Sequence, residues 1–105
     1  FIENETLDWQ QIDEKVSRKV MAYDSNLMLL KIKFEKGGIG PIHQHPHVQI
    51  THIESGFFEV EIGGEKKVLK GGDAFMIPSN IWHGVVCLEA GVLLDTFSPM
   101  REDFI

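Results

Sequence analysis

The sequence predicts an all-β domain of the sandwich or barrel kind, and three observations carry that expectation. Turn signals are dense and evenly spread: Asp24-Ser25-Asn26, Gly37-Gly38, Gly56, Gly63-Gly64, Gly71-Gly72-Asp73, Pro78-Ser79-Asn80 and Glu89-Ala90-Gly91. The runs between them are short and rich in β-branched, apolar and aromatic residues, the pattern of strands meeting at frequent turns. Helical periodicity is scarce, with room for a turn or two over residues 8–14 and one over 99–104.

Taken in order, strands are expected over residues 15–21, 27–34, 48–54, 57–62, 66–69, 74–77, 84–88 and 92–97. The sharpest hairpin is FFEVEI-GG-EKKVL, because Gly63-Gly64 supplies the positive φ that a two-residue turn demands. No linker or internal repeat divides the 105 residues, so one domain, 1–105, is expected. Strand-rich chains of this size often pair sheet to sheet, and a homodimer is the expectation.

The gross numbers exclude several classes. Net charge is −6 with no basic block, which argues against a nucleic-acid partner, and any anionic ligand must be held by a local cation. One cysteine, Cys87, excludes an internal disulfide and suits a reducing compartment. No apolar run reaches membrane-spanning length, so no membrane partner is expected. The acidic start, FIENETLDWQ, lacks a signal-peptide core, and a cytoplasmic location is expected. The first residue is Phe1, so an initiator residue is expected ahead of it, and whether a few more residues precede it is left open.

Chemistry concentrates in GGIGPIHQHPHVQITHIESG, residues 37–56, which hold four of the five histidines. His43 and His45 are two apart, so in an extended chain their imidazoles face the same way. Gln49 follows four residues later, and the remaining histidine, His83, lies in the turn-rich IPSNIWHG. Three imidazoles and an amide oxygen suit a divalent transition metal (Ni, Zn, Mn or Fe) and leave positions open for a ligand. His47 shares the parity of His43 and His45, but Pro46 interrupts the run; rim or metal neighbour are both open to it. His52 has the opposite parity and reads as an outer-face residue. Cys87 reads as a small core residue.

Near the C-terminus, Asp95 sits inside VLLDTF, a strongly apolar run. A carboxylate on a buried face has a raised pKa and is a candidate proton shuttle. The alternative is an outward-facing strand residue beside Thr96. Phe97 shares the parity of Asp95. Arg101 follows closely enough to fold back, or else is a solvated tail residue paired with Glu102 or Asp103.

Written out, the motifs are Gly37-x5-His43-x-His45-x3-Gln49-x6-Gly56 and Gly72-x5-Pro78-x-Asn80-x2-His83-x3-Cys87. They resemble the two motifs of the cupin superfamily. The resemblance implies a cupin jelly-roll β-barrel (double-stranded β-helix) with His43, His45, Gln49 and His83 in the four ligand positions. Gln49 stands where most cupins have Glu, Asn80 where they have Gly, and Cys87 where they have Asn. An amide leaves the divalent charge unneutralised, which favours polarising a substrate oxygen over oxygen chemistry. Asn tolerates the left-handed backbone that Gly would adopt.

FEKGGIGPIHQHPHVQ together with CLEAGVLLDTFSPMREDFI is similar to the KdgF group of small cupins, over nearly the whole chain. That group linearises the 4,5-unsaturated uronates left by pectin or alginate lyases, giving 4-deoxy-5-keto uronate. The resemblance implies a small anionic sugar substrate and carries the acting residues onto Asp95, Phe97 and Arg101. The competing readings are a cupin dioxygenase, a non-catalytic sugar-binding cupin and a purely structural β domain.

Overall fold

Eight strands carry the chain, and the alternation of apolar side chains decides which face each one buries. The computed structural model describes residues 1–105. Its strands are β1 (Gln10–Asp13), β2 (Val16–Asp24), β3 (Leu27–Phe34), β4 (Ile39–His43), β5 (Val48–Ile62), β6 (Glu65–Lys70), β7 (Ala74–Ile77) and β8 (His83–Ser98). All pairings are antiparallel, in the order β1-β2-β3-β8-β5-β6, with β4 also against β8 and β7 against β5. The sheet stays open, and no helix is long and apolar enough to cross a membrane.

β5 and β8 are long bent strands, each of which the sequence presents as two. The first part of β5 runs between β7 and the second part of β8, whereas its second part runs between β6 and the first part of β8. Register shifts around Ser55 and Phe57 mark the bend. Gly56 lies there at φ 91°, and a Cβ on it would come within 2.7 Å of the Glu89 carbonyl oxygen and of Gly91 Cα. Only glycine lets the two bent strands approach this closely. The bend folds one ladder into two facing layers, one centred on β3-β8-β5-β7 and the other on β4-β8-β5-β6.

The inner faces meet through Phe34 of β3, Ile53, Phe58 and Val60 of β5, and Cys87 and Leu93 of β8, all buried. Phe34 and Phe58 pack edge to face, ring centres 5.3 Å apart. A second buried group, Met28, Leu30 and Phe97, packs against Val20, Met100 and Phe104. Full burial of one such side chain is worth about 1.5–3 kcal/mol, so these faces dominate the stability. Along the same inward positions toward the start of β5 and the end of β8, the side chains turn polar: Gln49, Thr51 and Asp95. That switch places the site.

Residues 8–14 hold no helix. Within them lies the edge strand β1, whose four residues are all exposed, so no apolar alternation signalled a strand. Residues 39–43 add a further strand, β4, in which no apolar side chain is fully buried and no alternation in the sequence marks it. The expected C-terminal turn shortens to a 3-10 turn at Glu102–Phe104. The Gly63-Gly64 hairpin has φ 58° and 86°, as a tight two-residue turn requires.

Candidate metal centre and cavity

β4 ends at His43, which pairs directly across the sheet with His83, the first residue of β8. The two ring centres are 4.4 Å apart. His45 is not on a strand; it lies in the connection between β4 and β5. That connection is held by the β7–β8 loop, where the Asn80 N–H donates to the His45 carbonyl (2.8 Å) and the Ser79 hydroxyl to the Pro46 carbonyl (2.6 Å). Asn80 adopts φ 62°, the left-handed conformation its side chain tolerates. His43, His45 and His83 thereby each bring one ring nitrogen within 4.8 Å of the others.

The three rings are oriented alike. Each Nδ1 faces a backbone carbonyl: Pro41 for His43 (2.7 Å), His47 for His45 (3.0 Å) and Ile81 for His83 (2.8 Å). A carbonyl only accepts, so each Nδ1 carries the hydrogen and a neutral ring keeps a bare lone pair on Nε2. Burial holds His45 below its ordinary value and pushes His83 down to about 4, so both are neutral at pH 7. His83 Nε2 is buried with no hydrogen-bond partner. Gln49 Oε1 sits 3.0 Å from His45 Nε2, two acceptors facing each other with no hydrogen between them. A divalent cation satisfies all of these lone pairs at once, and imidazoles braced by backbone carbonyls are its usual ligands. The residues present therefore fit a metal ion.

Gln49 is braced from behind. Its Nε2 donates to Thr51 Oγ1 at 2.9 Å, and the Thr51 hydroxyl donates to Asp95 Oδ1 at 2.6 Å. Thr51 and Asp95 are direct cross-strand partners, and Leu30 flanks Asp95 on its other side. Burial pushes the Asp95 carboxyl up to about 6, against the Thr51 hydrogen bond and the positive charge of Arg101, which pull it down.

Asp95, His43, Gln49, His83, Phe97 and Arg101 share the wall of one cavity of about 200 Å³. Arg101 is buried yet already engaged: Nε and Nη2 grip the two carboxylate oxygens of Asp103 at 3.0 and 2.8 Å. Two further wall residues went unnoticed in the sequence. The Arg18 and Arg101 guanidiniums lie on the Phe104 ring, 4.0 and 4.2 Å from its centre, and both Arg18 and Phe104 line the cavity. Nothing local marks Arg18, one charge among several on β2. Thr51 could have been found, because it shares strand parity with Gln49.

His47 stays outside the cluster. Its Nε2–H donates to the Met100 carbonyl (3.1 Å), tying down the segment that carries Arg101. His52 is exposed on the outer face, and Cys87 is buried in the core.

Residues 30–97 match the family model described as a cupin domain. Over its full length the chain is 48% identical to the pectin degradation protein KdgF of Dickeya dadantii, of which it covers 96%. The chain is a cupin of the KdgF group. This cupin superposes on KdgF from Halomonas sp. with a TM-score of 0.96 at 42% identity, covering all of the chain and 97% of that structure. It likewise matches an RmlC-like cupin from Shewanella frigidimarina at TM-score 0.97 and 40% identity, covering 100% and 95%. The fold is the jelly-roll that the two motifs lead one to expect, here with eight strands and an unclosed sheet.

Proposed function

We propose that this cupin is an isomerase that converts 4,5-unsaturated uronate monomers, released by pectin or alginate lyases, into linear 4-deoxy-5-keto uronate. The observation that carries the reading is a deeply buried carboxyl, Asp95, on the same cavity wall as the histidine cluster and a buried guanidinium. The full-length likeness to a pectin degradation protein points to the same substrate class.

The substrate is a cyclic hemiacetal whose ring oxygen is also part of an enol ether beside a carboxylate. Ring opening removes the proton of the C1 hydroxyl, makes the C1 carbonyl and releases the ring oxygen as an enolate. Protonation at C4 then gives the 5-ketone. Every atom is retained and no electrons enter or leave. One proton moves from O1 to C4, so a single carboxyl can serve first as base and then as acid. Asp95 has that role: a carboxyl lifted to about 6 is ionised at pH 7 yet basic enough to hold the proton briefly. A divalent cation held by His43, His45, Gln49 and His83 would supply positive charge near the oxygen that becomes negative.

Arg101 binds the substrate carboxylate. Because its Nε–Nη2 edge is taken by Asp103, the carboxylate meets the Nη1 side or displaces Asp103. Phe97 packs against the sugar and keeps water from the enolate. The homodimer is part of the proposal; Ile50 and Met76, exposed cross-strand neighbours on the outer face, form an apolar patch it would cover. A cytoplasmic location and a single domain, 1–105, complete it.

The test is the loss of ultraviolet absorbance of the conjugated enol ether in unsaturated galacturonate, with and without a chelator. Faster loss with the protein, abolished by chelation and restored by metal, is expected. A rate equal to the uncatalysed one at every metal concentration overturns the enzyme reading.

A further inference from the structure

We infer that Thr51 is a positioning residue that locks the Gln49 amide with its oxygen, not its nitrogen, toward the three imidazoles. The inference rests on the metal reading of the histidine cluster and deepens it. An amide has one oxygen and one NH2 of nearly the same shape, so packing alone cannot choose between its two orientations. Hydrogen-bond direction can. An ionised Asp95 only accepts, so the Thr51 hydroxyl, 2.6 Å away, must donate to it. The single hydroxyl hydrogen is then spent, and the Thr51 oxygen is left to accept. The group facing it at 2.9 Å must be a donor, which is Gln49 Nε2. The remaining end of the amide, Oε1, is thereby turned to the histidine cluster, 3.0 Å from His45 Nε2.

Turned the other way, Gln49 would aim its N–H groups at the ligand cluster and its oxygen at Thr51. The hydroxyl cannot donate to both that oxygen and Asp95, so one buried acceptor would go unsatisfied. Thr51 has no exposed surface at all, and so no water can take over its role. Gln49 and Asp95 are also almost fully buried. A Glu in place of Gln49 would need no such lock, since its two oxygens are equivalent. The Gln of this chain and the Thr two residues later thus form one device, and it couples the proton-carrying carboxyl to the ligand shell.

The experiment is Zn²⁺ affinity, measured by competition with a chromophoric chelator at pH 7.5, for wild type, Thr51→Val and Thr51→Ser. Each is measured in both the native and the Gln49→Glu backgrounds, with melting temperatures in parallel. Thr51→Val is expected to weaken Zn²⁺ binding about 10–100-fold, the usual consequence of losing a partner behind a ligand. Thr51→Ser keeps the hydroxyl and should stay within about threefold of wild type. In the Gln49→Glu background, the Thr51→Val loss should shrink to about threefold or less, whereas a merely structural role would weaken both backgrounds alike. Unchanged affinity in Thr51→Val, or an equal loss in both backgrounds, overturns the inference while leaving the metal site standing. Absence of Zn²⁺ binding by wild type overturns both. Should Thr51→Val fail to fold, Thr51→Ala against Thr51→Ser carries the same comparison.

Discussion

Asp95→Asn should make the metal-free protein more stable while lowering the turnover of the metal-loaded protein. The carboxyl ordinarily titrates at 3.8 and in the fold at about 6, with burial the main cause. A raised acid favours folding below its unfolded value and loses that contribution as pH rises through its folded value. At pH 8 the carboxyl is ionised in both states, and the folded state carries the cost of keeping that charge out of water. At about 1.4 kcal/mol for each tenfold change in proton affinity, the cost is about 3 kcal/mol. Asparagine removes the charge and keeps the shape, and the Thr51 hydroxyl can still donate to its oxygen. Urea unfolding in EDTA should therefore show a gain of about 3 kcal/mol at pH 8, equivalent to roughly 14 °C in Tm for a domain of this size. The gain should narrow as pH falls below 6 and vanish only below the unfolded value of 3.8. His45 and His83 are identical in both proteins, so their titration cancels in the difference. Turnover should fall about 10²–10⁴-fold, the usual share of a positioned acid–base group. Equal stability at pH 8, or a gain that does not change with pH, would refute the reasoning.

Wild-type kcat/KM should fall as pH drops through about 6, because a protonated Asp95 cannot act as base; bound cation, which favours the ionised carboxyl, should move that limb lower, as a pH profile at two metal loadings would show. His83→Ala removes one of three clustered imidazoles, so elemental analysis of the purified protein should find less than about a tenth of the wild-type metal content. Arg101→Lys keeps the charge but loses the planar fork that grips Asp103, and should raise KM about tenfold with little change in kcat, measured by steady-state kinetics. Gly56→Ala forces a side chain into a left-handed bend 2.7 Å from the Glu89 carbonyl and should cost about 3 kcal/mol in urea unfolding.

What the sequence by itself determined is whatever depends on short stretches of chain. The strand runs, the Gly63-Gly64 turn and the left-handed tolerance of Asn80 are set by local backbone preference. The candidate ligands His43, His45 and Gln49 stand out because three donors fall within seven residues. The odd position of Asp95 was legible because a carboxyl in an apolar run is expensive wherever that run is buried. Where local chemistry was silent, the reading failed: β1 is an exposed edge with no alternation, and it passed for a helical turn. Only the tertiary structure decided that β5 and β8 are single strands bent at Gly56, because that bend comes from two backbones meeting, not from either alone. The same holds for the Gln49–Thr51–Asp95 chain, the engagement of Arg101 by Asp103, and the approach of Arg18 to Phe104. Thr51 and Asp95 are 44 residues apart, and their 2.6 Å contact exists because antiparallel register sets them opposite each other. Register is fixed by burying one whole face of each strand, a cooperative property that no single stretch of the chain contains.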